Sequence, residues 1–205
     1  MKRIIFFIGI MLFSISSFAQ YEVGSIHLMP KAGINITSLS ETSNSDYRVG
    51  LAIGAELEYQ VHSLLAVSVG ATYSEQGATY YLSPYDYTFK MDYINLPVLA
   101  NFYIAKGFAL KVGLEGGVLI NQKLKGVGNG ISFEQDIEKA MSSNGRKYTM
   151  KSFIAGMPLG ASYEFKNFQI DARYIIGLTD ANEFVGSNDK HNLFQLTLGY
   201  KFKLK

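Results

Sequence analysis

The end of the chain alternates between apolar and polar positions. From Phe194 to Leu204 the even positions are apolar or aromatic, and the odd positions carry Gln195, Thr197, Gly199, Lys201 and Lys203. A period of two over this length predicts a β-strand with one apolar face and one polar face. About ten residues are needed for a tilted strand to cross a bilayer, so this segment is long enough to span one.

Seven further segments show the same period, and the connections between them alternate in length. Three connections are tight, at 61–63, 105–107 and 166–167, whereas four are long, at 38–48, 76–90, 122–148 and 179–190. This arrangement predicts an all-β fold, an eight-stranded antiparallel up-and-down transmembrane β-barrel with short periplasmic turns and long external loops. The predicted strands are 25–37, 49–61, 64–75, 91–104, 108–121, 149–165, 168–178 and 191–204.

Charged residues share one face of these strands. Arg173 on the lipid side near the membrane midplane would cost roughly 2–4 kcal/mol, so the charged faces are predicted to point inward. The lumen of an eight-stranded barrel is just wide enough to be filled by side chains, so the charges are expected to pair and leave no open channel. The alternative is a path for protons or solutes. The predicted lumen network consists of Lys31, Glu56, Glu58, Lys111, Glu115, Glu164, Asp171, Arg173, Lys201 and Lys203.

Two other residue types bear on this barrel. Pro30, Pro97 and Pro158 lie inside predicted strands, where a missing N–H predicts a bulge, a broken ladder bond or a displaced strand end. Aromatic residues cluster near the periplasmic turns and predict an interfacial girdle. The predicted girdle consists of Tyr59, Phe102, Phe108, Tyr163, Phe165, Phe168, Tyr200 and Phe202.

The first residues predict export. Lys2 and Arg3 precede an apolar run and a small-residue exit that ends at Ala19, which is typical of a signal peptide over 1–19 followed by a barrel domain over 20–205. The chain has 19 basic and 17 acidic residues, and removal of the two basic residues of 1–19 leaves 17 of each sign. This balance gives no reason to expect a nucleic-acid partner. Cysteine is absent, which excludes disulfides and thiolate metal sites.

Several local patterns resemble one known family. The end of the chain, Thr197-Leu-Gly-Tyr-Lys-Phe-Lys-Leu204, resembles the C-terminal sorting signal of outer-membrane barrels. With Lys31-Ala-Gly-Ile-Asn35, Tyr73-Ser-Glu-Gln-Gly77, Asp92 to Pro97 and Asp171-Ala-Arg-Tyr174, it looks like the PorT-like outer-membrane β-barrel family of Bacteroidota. The resemblance implies an OmpA/OmpX-like barrel in the bacterial outer membrane. It implies little about activity, although a namesake of the family is linked to protein secretion.

The external loops are predicted to carry the function. The loop 76–90 holds Tyr80, Tyr81, Tyr85 and Tyr87, which suit contacts with a partner or packing on a neighbour. In the loop 122–148, Ser132 to Gln135 has the spelling of a capping box, which predicts a short helix that presents Phe133, Ile137, Ala140 and Met141. This helix would rest on the barrel rim or act as a lid or docking surface. The glycines of 126–130 are interpreted as a flexible loop.

No catalytic constellation is predicted. His27 and His62 lie toward the periplasmic end, and His191 stands at the external end with only Asp180, Ser187 and Asp189 as candidate partners. A hydrolase or acyltransferase needs a histidine beside a serine or carboxylate, so a non-enzymatic barrel without a cofactor is favoured over a lipid-modifying enzyme. The expected partners are outer-membrane lipid, lipopolysaccharide and a protein bound through the external loops. An accessory role in secretion and a soluble lipocalin-like barrel are the alternatives.

Overall fold

The computed structural model of the chain describes residues 21–39, 45–82, 85–128, 131–136, 152–180 and 190–205. These residues form strands and short connections, and no helix among them is long and apolar enough to cross a membrane. The strands are β1 Ile26–Leu39, β2 Ser45–His62, β3 Leu65–Leu82, β4 Tyr85–Ala105, β5 Phe108–Gly128, β6 Ile131–Asp136, β7 Phe153–Phe165, β8 Phe168–Asp180, β9 Lys190–Tyr200 and β10 Phe202–Lys203.

Eight of these strands close into a ring. The order β1-β2-β3-β4-β5-β7-β8-β9 is antiparallel at every step, and β9 pairs back with β1 from Lys31↔Gly199 to Leu39↔His191. β10 continues the line of β9 along β1 through His27↔Lys203, and β6 pairs with the outer part of β5. The predicted eight-stranded antiparallel barrel is therefore confirmed.

The two faces of the ring have opposite polarity. Ile53, Leu57, Val98 and Leu114 point outward and expose between 42 % and 63 % of their surface. The alternate positions point into the lumen and are polar or charged, as Glu56 at 2 % exposure shows. Because backbone groups are paired all round the ring, the outward face can meet lipid without unsatisfied hydrogen bonds.

Aromatic side chains surround the end of the ring that carries the short turns, the predicted periplasmic end. Tyr59, Phe102, Tyr163 and Phe165 are all exposed there. The Phe168 and Tyr200 rings meet edge-on, with centroids 5.1 Å apart. Two turns use the left-handed backbone, with φ of 79° at Gly107 and 56° at Lys166.

Each strand proline lies where one ladder is interrupted. β1 pairs with β10 up to Leu28↔Phe202 and with β9 from Lys31↔Gly199, so the break contains Pro30. Pro97 falls between Val69↔Val98 and Thr72↔Asn95, and Pro158 between Val112↔Leu159 and Glu115↔Gly156. The register after each break continues that before it, so the missing N–H produces a broken ladder rather than a bulge.

Three predictions about the loops are wrong. Most of 76–90 is β-hairpin, because β3 runs to Leu82 and β4 begins at Tyr85. Residues 126–128 belong to β5 rather than to a flexible loop. The predicted start of a helix at Ser132 is instead strand β6, whose pairing with β5 satisfies backbone groups that a capping box would have served.

Candidate functional site

Two features stand out as candidate sites, a charged network in the lumen and a β-sheet that extends from the external end. The network is centred on Glu56, whose carboxylate lies 2.5 Å from Lys31 Nζ and 2.5 Å from Arg173 Nη1. Arg173 also contacts Asp171, with Nε 2.6 Å from Oδ1. Lys111 Nζ completes the group 2.5 Å from Asp171 Oδ2. These side chains come from β1, β2, β5 and β8, so the cluster ties together strands from all round the ring.

A second cluster closes the periplasmic end of the lumen. Lys201 Nζ lies 2.6 Å from Glu164 and 3.0 Å from Glu58. Tyr103 donates its hydroxyl hydrogen to Glu58 at 2.8 Å, and Tyr21 donates to Glu164 at 2.9 Å. The Tyr21 ring also lies under Lys201, which is 4.9 Å from its centroid. The segment that precedes β1 thus covers the charged cluster from below.

Glu115 occupies the external part of the lumen and differs from the other acids. Its Oε1 accepts a hydrogen bond from Asn95 Nδ2 at 2.9 Å. No described cation forms an ion pair with it, although Lys31, Lys111, Arg173 and Lys201 are each paired with another acid. Among the described residues, the buried charges of the lumen therefore number four cations and five carboxylates.

Nine of the ten predicted network residues lie in the lumen, and each is at most 9 % exposed. The assignment of Lys203 to this network is wrong. Its side chain remains 57 % exposed, and Nζ lies 3.3 Å from Glu22. Lys203 has the inward phase of Lys201, but it follows the last buried layer and so reaches water at the barrel mouth.

The network also includes neutral residues that were not predicted. Asn101 donates to Glu58 at 2.9 Å, and Gln195 donates to Asn35 at 3.0 Å. These amides occupy the same inward phase as the charged residues, so the alternation of each strand also predicts their inward position. They were not predicted because the predicted network contained only charged residues.

The external sheet consists of residues 76–82, 85–92, 121–128 and 131–136, in the strand order β3-β4-β5-β6. Its lumen-side face carries Tyr87, Phe89, Met91 and Phe133 by the alternation of each strand. The Phe133 ring lies over its register partner Gly126, where an added Cβ would come within 2.4 Å of the ring. Phe133 also meets Tyr87 edge-on, with centroids 6.4 Å apart.

The opposite face of this sheet is charged. Glu134 forms ion pairs with Lys90 at 2.8 Å and with Lys123 at 3.1 Å. Lys90 and Lys123 are direct register partners, so Glu134 separates two like charges on neighbouring strands. The hydrogen bonds from Lys90 and Lys123 lower the pKa of the Glu134 carboxyl group to about 2.

The predicted external contact residues lie in different parts of the structure. Tyr87 and Phe133 come together on one face of the external sheet. Tyr80, Tyr81 and Tyr85 belong to the β3–β4 hairpin, where Tyr80 pairs with Tyr87 and Leu82 with Tyr85. Ile137, Ala140 and Met141 lie outside the described residues.

His27 and His62 lie at the periplasmic end of the barrel, and His191 lies at the opposite, external end. His27 is buried at the periplasmic end, with its ring centroid 4.2 Å from that of Tyr21. His62 lies in the β2–β3 connection, and the backbone of His191 pairs with Leu39 at the external end. Within the described part of the chain, no group of three or more histidine, aspartate or glutamate residues is arranged to hold a metal ion.

The family is shown by a comparison of the sequence with known family models. Residues 18–183 match the family model described as outer membrane protein beta-barrel domain, which covers most of the chain. The chain belongs to this family. The predicted location in the bacterial outer membrane is thereby confirmed, and the apolar outward face of the ring is its lipid-facing surface. No curated protein has a sequence similar enough to count as a match.

Solved structures agree on the fold. The attachment invasion locus protein Ail of Yersinia pestis, in complex with the heparin analogue sucrose octasulfate, is 16 % identical, with a TM-score of 0.50 over 88 % of this chain and 100 % of Ail. The outer-membrane protein OprG of Pseudomonas aeruginosa is 13 % identical, with a TM-score of 0.50 over 89 % of this chain and 98 % of OprG. At these identities the likeness shows a shared fold.

Proposed function

We propose that this outer-membrane protein is a closed, non-enzymatic barrel that acts through its external segments. The observation that carries the proposal is the lumen network, whose nine charged side chains are buried and come from strands all round the ring. To open a path, several buried ion pairs would have to separate, and each unpaired charge in this environment is costly. The barrel therefore serves as a rigid membrane anchor.

Electrical recording in planar bilayers tests the closed lumen. Purified protein is expected to give no conductance steps. A variant with Glu56→Ala and Arg173→Ala removes the centre of the network and, if it folds, serves as the matched control for a widened lumen. Reproducible steps from the unmodified protein, free of porin contamination, would contradict the proposal.

Lipopolysaccharide is the first partner that we propose for the external sheet. Lys90 and Lys123 lie on its outward face just above the apolar belt, and their side chains are 30 % and 46 % exposed. Basic side chains at this depth meet anionic head groups, each worth about 1 kcal/mol near a charged membrane surface. The variant Lys90→Met, Lys123→Met is expected to co-purify with less lipopolysaccharide than Lys106→Met, a control at the periplasmic turn.

The proposal of a non-enzymatic barrel is supported by the distance of His191 from the other two histidines, which lie at the periplasmic end. Only His191 stands at the external end, and the replacement His191→Ala is expected to leave the lipid A profile of the cell unchanged. A changed acylation pattern would instead identify the protein as a lipid-modifying barrel.

A role in protein secretion is the second candidate, supported by the PorT-like patterns from Lys31 to Asn35 and from Asp92 to Pro97. Deletion of the gene would then lower the amount of secreted protein, and unchanged secretion would remove this candidate. N-terminal sequencing of the purified protein tests the export signal and should find a mature chain that begins at Gln20.

A further inference from the structure

The end of the barrel with the short turns exposes lysines on several segments. Lys106 lies in the β4–β5 turn, Lys166 in the β7–β8 turn and Lys203 on β10. The side chains of all three residues are exposed. The connection between β2 and β3, at His62 and Ser63, carries no lysine. The cations are therefore unevenly distributed around this end.

Backbone hydrogen bonds join the three lysine-bearing segments side by side. Glu164 N, just before the β7–β8 turn, donates to Gly107 O at 2.6 Å. On the other side of the same turn, Lys201 N donates to Asn167 O at 2.7 Å. Asn167 Nδ2 returns a hydrogen bond to Lys201 O at 3.1 Å. The three exposed lysines thus follow one another along the rim and form a basic arc, which consists of Lys106, Lys166 and Lys203.

The basic arc keeps a net positive charge. Among the described residues of this end, Glu22 is the one acidic side chain that is exposed, and its carboxylate lies 3.3 Å from Lys203 Nζ. Both side chains of this ion pair are open to solvent, so the pair is weak. Glu58 and Glu164 are buried, and both are paired with Lys201. The three lysines of the arc therefore outnumber the exposed carboxylate.

An aromatic wall adjoins the basic arc on the outward face of the ring. Tyr163, Phe165 and Phe168 expose between 51 % and 63 % of their surface. Lys166 Nζ lies 5.5 Å from the centroid of the Phe165 ring, so this lysine lies against the aromatic girdle. Because the turns are short, the lysines remain close to the girdle, at the depth of the lipid head groups.

We propose that the basic arc binds a phospholipid with an anionic head group, such as phosphatidylglycerol, from the periplasmic leaflet. The lysine ammonium groups donate hydrogen bonds to the phosphate, and the acyl chains lie on Tyr163, Phe165 and Phe168. Peptidoglycan is a less suitable partner, because it lies away from the membrane surface and the short turns do not reach far into the periplasm. The site lies at the opposite end from the external sheet and does not rest on the proposed role of that sheet.

Solution NMR tests the site in the purified full-length protein in micelles of dihexanoyl phosphatidylcholine. Addition of dihexanoyl phosphatidylglycerol is expected to shift the amides of 105–107, 166–167 and 202–205 until saturation, with little change at 61–64. The triple variant Lys106→Gln, Lys166→Gln, Lys203→Gln is expected to bind at least about tenfold more weakly, because it removes the three cations. Lys125→Gln, which removes a lysine from β5 in the external sheet, should bind as the unmodified protein does. Heat-modifiable migration on gels verifies that both variants fold.

Two soluble ligands distinguish a lipid from other anions. Glycerol phosphate presents the phosphate without acyl chains, and a disaccharide tetrapeptide from peptidoglycan presents carboxylates. Neither is expected to displace dihexanoyl phosphatidylglycerol from the basic arc. Equal competition by either ligand, shifts of the same size at 61–64, or unchanged affinity in the triple variant would each overturn the proposal.

Discussion

The membrane ring and the external sheet are built from the same strands, but their polarity is reversed. On β4, Leu96 and Val98 point outward in the ring, whereas Lys90 points outward in the external sheet. On the inward side, the ring carries amides and charges such as Asn95, whereas the sheet carries Tyr87 and Phe89. The backbone pairing continues through both regions, so the solvent outside the strands, and not the ladder, decides which face is apolar.

The level at which the polarity of the strands reverses marks the outer surface of the membrane. It falls near Asp92 and Asn121, which face outward and share a hydrogen bond of 2.9 Å. A register shift on β4 and β5 lies at this level, between Asp92↔Asn121 and Tyr93↔Leu119. β4 has 21 residues, about twice the number that a tilted strand needs to span a bilayer, so a large part of it lies in water.

Removal of a buried cation is expected to have the largest effect. Arg173→Met removes the cation that Glu56 and Asp171 share and leaves excess buried negative charge, so the free energy of unfolding is expected to fall by roughly 3–5 kcal/mol. Lys90→Met breaks an exposed ion pair in the external sheet and should cost at most about 1 kcal/mol. Urea titration of both variants in micelles measures the difference. Equal losses would mean that the lumen charges are solvated.

The next largest difference is expected from an arginine placed on the outward face of each region. Leu114 and Val127 both point outward on β5, with 63 % and 45 % of their surface exposed. Leu114→Arg places a charge in the lipid and is expected to cost roughly 2–4 kcal/mol of folding free energy in bilayers. Val127→Arg should change stability by no more than about 0.5 kcal/mol, because its side chain remains in water.

Loss of the aromatic contact should affect the external sheet but not the ring. Phe133→Ala removes the ring from Gly126 and from Tyr87, an aromatic contact worth about 0.5–1.5 kcal/mol. Hydrogen exchange is expected to become faster in 121–128 and 131–136, with no change in the ring segments of β8 and β9. Phe133→Leu, which keeps an apolar group over Gly126, should exchange at an intermediate rate. Faster exchange throughout the ring would show that the two regions unfold together.

The smallest effect concerns the charge of Glu134. Its folded pKa of about 2 lies below the ordinary glutamate value, so its interaction with the lysines is present at neutral pH and is lost as the pH falls toward 2. Carbon NMR of the labelled carboxyl group should follow this titration. Lys90→Met is expected to raise the midpoint, and a midpoint that stays unchanged would show that Lys90 does not hold the carboxylate.

The ring was predictable because lipid imposes a simple rule on every strand. Residues such as Arg173, Glu56 and Lys111 had to face inward, and the period of two identified their faces. The same period gives no depth along the barrel axis, which is why Lys203 was assigned to the lumen although it lies at the mouth. Glu115 was correctly assigned to the inward face, but its lack of an ion-pair partner among the described residues depends on where side chains from several strands end.

The external sheet was missed because of the polarity reversal itself. On β4 the apolar positions are odd from Tyr87 to Tyr93 and even from Ile94 to Val98, so no single apolar phase runs through the whole strand. The capping-box spelling at Ser132 is a local signal for a helix. It is outweighed by pairing with β5, where Phe133 covers Gly126, a contact that depends on the register between two strands.

Chemical labelling of single cysteines on intact cells tests the central claim most directly, because the chain has no cysteine of its own. Leu114→Cys and Val127→Cys place one thiol on the outward face of the ring and one on that of the external sheet. A maleimide that cannot cross membranes is expected to label Val127→Cys rapidly and Leu114→Cys hardly at all. Rapid labelling of both positions, or of Leu114→Cys alone, would contradict a lipid-embedded ring that carries its extended strands into the water outside the cell.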